Sequence, residues 1–214
     1  MAAKRSLEEE FGQERKRRAR DSFHQAFRLQ RQALADNYSR TRIELIHTAI
    51  SYYRRSIEFF PMAETYTFMG WAFSLLGALG EAIASCQQAI ALDPEYGNPY
   101  NDIGVYLIEL GNYDQAVPYL QKAIVAKRYD CQHYAHYNLG RIWLVKGHLK
   151  AATYEFKKAL EYEPTYILAQ LALKQLQAGI LAMNPEESVM GNAVNLDSAA
   201  DLFFIEGQDK DKEK

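Results

Sequence analysis

Small residues recur through the middle of this chain at a fixed period, and that period limits what it can fold into. Gly70, Gly104 and Gly140 are 34 and 36 residues apart. Each is followed seven residues later by a second glycine: Gly77, Gly111 and Gly147. Five residues further stand Ala82, Ala116 and Ala152, and seven beyond those stand Ala89, Ala123 and Ala159. Pro94 and Pro164 close two of the units at the same phase. A period of this length marks one supersecondary unit stacked on copies of itself. The middle of the chain is therefore expected to be a linear array of units, each burying its apolar face against its neighbour.

The spacing also says what each unit is. Tyr100, Ile103, Gly104 and Leu107 fall at i, i+3, i+4 and i+7, one apolar face of a helix, and Ala116, Leu120, Ala123 and Ile124 repeat the signature in a second helix. Glycine on the first helix and alanine on the second carry almost no side-chain volume, so two helices can approach closely there. A mid-helix glycine costs about 1 kcal/mol of propensity, which the close packing has to offset. Gly77, Gly111 and Gly147 lie between the two stripes, where a helix stop is needed. Asn98-Pro99 reads as an N-cap with proline at the first helical position.

These residues resemble the tetratricopeptide repeat. The first copy reads Tyr66, Met69-Gly70, Phe73, Ala82, Cys86, Ala89, Pro94; the second Tyr100, Ile103-Gly104, Leu107, Ala116, Leu120, Ala123, with Arg128 in place of proline; the third His136, Leu139-Gly140, Trp143, Ala152, Phe156, Ala159, Pro164. The units are 63–96, 97–132 and 133–166, and the longer second one predicts an extended turn at Arg128-Tyr129-Asp130-Cys131. The resemblance implies an all-α fold, a right-handed α-solenoid of stacked antiparallel helix pairs. Residues 23–62 read as a degenerate first repeat. Its first helix would use Phe23, Ala26, Phe27, Gln30, Leu34 and Tyr38, and its second Ile43, Ile46, Ile50, Tyr53 and Ile57, without the family glycine. Residues 167–183 read as a capping helix with one wet face.

Charge separates the flanks from the middle. Residues 1–60 hold 13 Lys/Arg and 8 Asp/Glu, whereas 184–214 hold 3 and 8. Residues 1–22 are expected to be a charged basic arm and 184–214 an acidic flexible tail, neither adding much stability. The run from Arg15 to Arg20 reads as the solvated face of a charged helix, with nuclear import or an anionic contact as the sharper alternatives. No stacking aromatics are interleaved in it, so nucleic acid is not the expected partner. In the tail, Leu196, Leu202, Phe203, Phe204 and Ile205 among Asp197, Asp201 and Glu206 leave room for a docking motif or self-association through the arms. Two cysteines, Cys86 and Cys131, suit a reducing compartment, and with no apolar run of membrane length and no secretory signal the expectation is cytoplasmic.

No constellation for catalysis or cofactor binding is expected. The chain has no phosphate loop, nucleophile elbow or HExxH, and Cys131, His133 and His136 lack the fourth ligand of a structural zinc. The resemblance points to protein binding. Family positions 2, 5, 9 and 12 form the inner wall, here Glu64, Thr67, Trp71 and Ser74; Asn98, Asn101, Val105 and Ile108; and Tyr134, Tyr137, Arg141 and Leu144. The family's carboxylate clamp for heat-shock chaperone tails is not matched: Thr67 and Trp71, Asp102, and Tyr134 and Asn138 stand where its basic and amide residues are required. The resemblance thus implies a non-enzymatic scaffold or adaptor gripping a peptide or helix through Trp71, Asn101, Tyr137 and Arg141. The alternative is a dedicated chaperone of a secretion or assembly system.

Overall fold

The computed structural model describes residues 2–35 and 39–179. Nine helices stand among them: α1 Ala2–Ala35, α2 Ser39–Phe59, α3 Ala63–Ser74, α4 Leu79–Leu92, α5 Asn98–Glu109, α6 Tyr113–Val125, α7 Gln132–Val145, α8 Leu149–Tyr162 and α9 Ile167–Gln177. The described residues form no strand, only an isolated parallel bridge between Tyr96 and Arg128. The fold is all-α, built of helix pairs as expected. The chain divides into two compact units, one ending at Asp130 with α1–α6 and the other beginning at Cys131 with α7–α9.

In the first unit each helix packs on its successor in pairs α1/α2, α3/α4 and α5/α6, with α2 against α3 and α4 against α5. Gly104 is where α5 and α6 meet: a Cβ built there would lie 2.5 Å from Leu120 Cδ2. Leu120 is itself fully buried. In the second unit α7 pairs with α8, and α9 packs on α8. Its core gathers Tyr134, Tyr137, Leu144, Phe156 and Tyr166 with Ala152, Ala159, Ala169 and Ala172.

The turn within each pair is the same device three times. Gly77, Gly111 and Gly147 take φ near +72° to +73°, a left-handed conformation that favours glycine. The Gly77 amide donates to Ser74 O and the Ala78 amide to Phe73 O. Gly111 and Asn112, and Gly147 and His148, repeat the pair of bonds. Double bonding of this kind satisfies the last carbonyls of the first helix and reverses the chain.

The long turn of the second repeat ties the first unit together. Where proline was expected, the Arg128 amide donates to Glu95 O and its carbonyl accepts from the Gly97 amide. Its guanidinium pairs with Glu64 of α3 and with Asp93 and lies over the Tyr96 ring. Tyr129 is buried against Gly97, where a Cβ would lie 2.3 Å from Tyr129 Cβ.

The N-terminal region differs from its expectation. α1 runs unbroken through the boundary placed at residue 22, and Ala19 and Ser22 are buried. Ser56 Oγ donates to Ala19 O at 2.8 Å, and Arg15 Nε donates to Phe59 O at 2.9 Å. Further along the same pair, Tyr53 Oη donates to Gln30 Oε1 at 2.7 Å inside the core, and Phe23 and Phe27 stack edge-on against Phe68. The physical reason is that small residues, not large apolar ones, form the α1 contact near Ala19, so the helix comes close without an obvious hydrophobic stripe. Tyr38, residues 180–183 of the expected cap and the tail 184–214 lie outside the described residues.

Candidate interaction faces on the first helices

Stripe positions 2, 5, 9 and 12 come from α3, α5 and α7, the first helix of each pair. On α3, Glu64 is half-buried and held by Arg128 at 2.6 Å. Thr67 is buried, its hydroxyl donating to Ala63 O of the preceding turn. Trp71 keeps part of its indole in solvent, stands edge-on to Phe68, and accepts at its carbonyl from Ser74 Oγ. On α5, Asn98 and Val105 are half-buried, whereas Asn101 and Ile108 are buried.

Beside Asn101 stands Asp102. Burial pushes its carboxyl up to about 7, and a hydrogen bond with Asn101 pulls part of the way back. Burial also holds the Tyr106 hydroxyl well above the usual phenol range, helped by the Asp102 charge and opposed by a hydrogen bond with Ser74. The α3–α5 wall is thus largely polar, with the Glu64 and Asp102 carboxyls, two amides and an indole edge.

On α7, Tyr134 and Tyr137 are buried, and Tyr166 meets both edge-on at 5.4 and 5.3 Å. Tyr137 also packs against Phe156. These two tyrosines are therefore core residues of the second unit as much as wall residues. Arg141 is 8% exposed. Its Nη1 donates to Asn138 Oδ1 at 3.0 Å, and its Nε has no hydrogen-bond partner. It faces no carboxylate among the described residues. Its charge is felt instead by the Tyr137 and Tyr166 hydroxyls, pulling both down against the upward push of burial. The stripe rule missed Tyr166, which stands one residue before α9, because the rule counts only within first helices.

The three residues weighed as metal ligands have separate surroundings. His133 stands between the Tyr134 and Tyr166 rings, and burial lowers it to about 4. His136 Nδ1 is 2.8 Å from Glu155 Oε2, with the Tyr162 ring stacked on its imidazole. Cys131 precedes the first turn of α7. Among the described residues no group of three His, Cys, Asp or Glu side chains is placed to hold a metal. No described helix is long and apolar enough to cross a membrane.

Comparison with known proteins agrees with this geometry. The tetratricopeptide repeat family matches residues 63–96 and 101–167. BBSome complex member BBS4 of Bos taurus is 34% identical over 125 residues, 58% of this chain and 23% of that protein. Tetratricopeptide repeat protein 21B of Mus musculus is 26% identical over 152 residues, 71% of this chain and 11% of that protein. The chain spans less than a quarter of the length of these relatives. Among solved structures, PilF of Pseudomonas aeruginosa superposes with a TM-score of 0.66 at 16% identity, covering 83% of this chain and 77% of that one. The type IV pilus biogenesis factor PilW gives 0.58 at 18% identity, over 79% of this chain and 78% of that one. At such identities the likeness is one of fold.

Proposed function

The chain is a tetratricopeptide repeat protein, and from that premise we propose that it is a non-enzymatic scaffold or adaptor holding a peptide or helical segment of another protein on its first-helix faces. The observation that carries this reading is Arg141. A cation withdrawn from water without a counter-charge costs stability, so folding alone gives no reason for it. An acidic or carbonyl group from a bound segment would complete its hydrogen bonding, while the half-exposed Trp71 offers apolar surface on α3. Membership of a complex, which the BBS4 name states for that relative, fits the same kind of role. A secretion chaperone would call for an apolar groove, whereas the α3 and α5 walls carry Glu64, Thr67, Asn98, Asn101 and Asp102. Two cysteines are too few for a disulfide framework, which suits a reducing compartment such as the cytoplasm.

The test starts by panning a phage-displayed random dodecapeptide library on the full chain carrying Lys16→Glu and Arg55→Glu, two exposed substitutions that keep peptides held by the basic run of α1 from being recovered. The best peptide is then labelled, and its affinity measured for Trp71→Ala and Arg141→Gln by fluorescence anisotropy. At least one of the two substitutions is expected to weaken binding at least tenfold with an unaltered circular dichroism spectrum. Full-strength binding by both would overturn the reading. Tyr137→Ala is a poorer probe, because it opens the core against Phe156 and Tyr166.

A further inference from the structure

The basic run of α1 meets the end of α2, and more cations gather there than the helix end requires. Arg15 Nε bonds Phe59 O, which satisfies a terminal carbonyl and complements the helix dipole. One cation would do this. Lys16 Nζ also lies 5.1 Å from the centre of the Phe60 ring, and the Arg18 and Arg55 guanidiniums stand 5.8 and 5.7 Å from the Phe59 ring. Four positive side chains thus converge on two adjacent phenylalanines. Of the four, only Arg18 is paired with a carboxylate, and its partner Glu14 is shared with Arg17. Glu58, next to Phe59, is exposed and pairs with none of them.

The aromatic part is open to solvent as well. Phe60 is 36% exposed, and Phe11, four residues before Arg15 and so on the same face of α1, is 69% exposed. Like charges held together over the half-buried Phe59 and the exposed Phe60 repel one another in the free chain, and an anionic ligand reverses the sign of that contribution. Arginine and aromatic residues side by side are also the composition of binding hot spots.

We propose that this corner of α1 and α2 is a docking surface for a short acidic segment of another protein that carries an aromatic side chain. Its carboxylates would meet Lys16, Arg55 and the free guanidinium nitrogens of Arg15, and its ring would lie on Phe60 or Phe11. The surroundings decide for a short segment over a membrane or a nucleic acid duplex. Exposed Glu9 and Glu10, and Glu14, lie on α1 within two turns of Arg15, so an extended polyanionic surface would meet carboxylates beside the cations. A ligand a few residues long avoids them. This surface is independent of the first-helix faces and rests on different residues.

The test uses the full chain and the same random dodecapeptide library, panned in parallel on the wild type and on Lys16→Glu/Arg55→Glu. Both substituted side chains are exposed, and the Arg15 cap is left in place. The expected result is a class of peptides rich in Asp or Glu with Phe, Tyr or Trp. That class should lose at least tenfold in affinity for the double variant and for Phe60→Ser, keep full affinity for Arg141→Gln, and weaken between 50 and 500 mM salt. Vesicles containing a third phosphatidylserine and a 20-base-pair duplex are titrated alongside. The proposal is overturned if no acidic–aromatic class emerges, if the class binds the double variant equally well, or if only the vesicles or the duplex respond to the charge reversal.

Discussion

Replacing Gly104, first with alanine and then with leucine, probes how closely the second repeat's helices meet. An added Cβ would lie 2.5 Å from Leu120 Cδ2 and 2.6 Å from Cγ, about 1 Å inside ordinary contact. Leu120 is fully buried and has little room to retreat. Overpacking of this kind costs about 1–3 kcal/mol, and losing a mid-helix glycine returns about 1 kcal/mol of helix propensity. The alanine variant should therefore lose roughly 0–2 kcal/mol. Leucine gains nearly the same propensity but brings three more carbons, which puts it near 2–3 kcal/mol. At about 2–4 °C per kcal/mol for a chain this long, its melting temperature should fall by roughly 4–12 °C. Leu120→Ala alone should cost about 2–5 kcal/mol through the cavity it leaves. In the leucine background the added side chain fills that cavity. The double variant should thus be less destabilised than the sum of the singles by at least about 1 kcal/mol. Thermal and urea unfolding followed by circular dichroism measure all four variants. A leucine variant that melts like the wild type, or strict additivity with Leu120→Ala, would refute the close contact.

Three further outcomes follow from buried groups. His133, lowered to about 4, is neutral in the folded chain, so the stability it lends is present above its unfolded value near 6.5 and lost as pH falls toward 4; His133→Phe should remove about 1–3 kcal/mol of that acid dependence in urea titrations. Asp102 has the opposite sign. With its folded value raised to about 7, the fold binds its proton more tightly than the unfolded chain, and stability declines as pH rises from about 4 to 7; Asp102→Asn should therefore stabilise by about 1–2 kcal/mol at pH 8 and leave pH 3.5 unchanged. Deleting residues 2–20 removes Ala19 and the acceptor of Ser56 Oγ from a buried contact, and should cost about 1–3 kcal/mol by calorimetry; an unchanged melt would show that α1 contributes nothing before Asp21.

The helix pairs were legible because Gly70, Gly104 and Gly140 face the small or apolar residues of the second helices at one fixed spacing, and because Gly77, Gly111 and Gly147 stop the first helices at the same phase. The packing of α1 was not, since Ala19 and Ser22 make its contact and neither reads as hydrophobic in a charged run. Arg128 was visible only as a missing proline; its hold on Glu64 and Asp93 spans 64 and 35 residues, and no local pattern carries such a bond. The family stripe located Tyr134, Tyr137 and Arg141 on one face of α7. It did not reveal that Tyr166 covers the tyrosines, or that Arg141 is left with a neutral amide for a partner.

Hydrogen–deuterium exchange of the full chain, with and without the highest-affinity peptide recovered on Lys16→Glu/Arg55→Glu, tests the scaffold reading most directly. The account predicts added protection in 64–74, 98–108 or 134–145, the first helices carrying Trp71, Asn101 and Arg141, with the second helices 79–92, 113–125 and 149–162 unchanged. Protection confined to those second helices would contradict it.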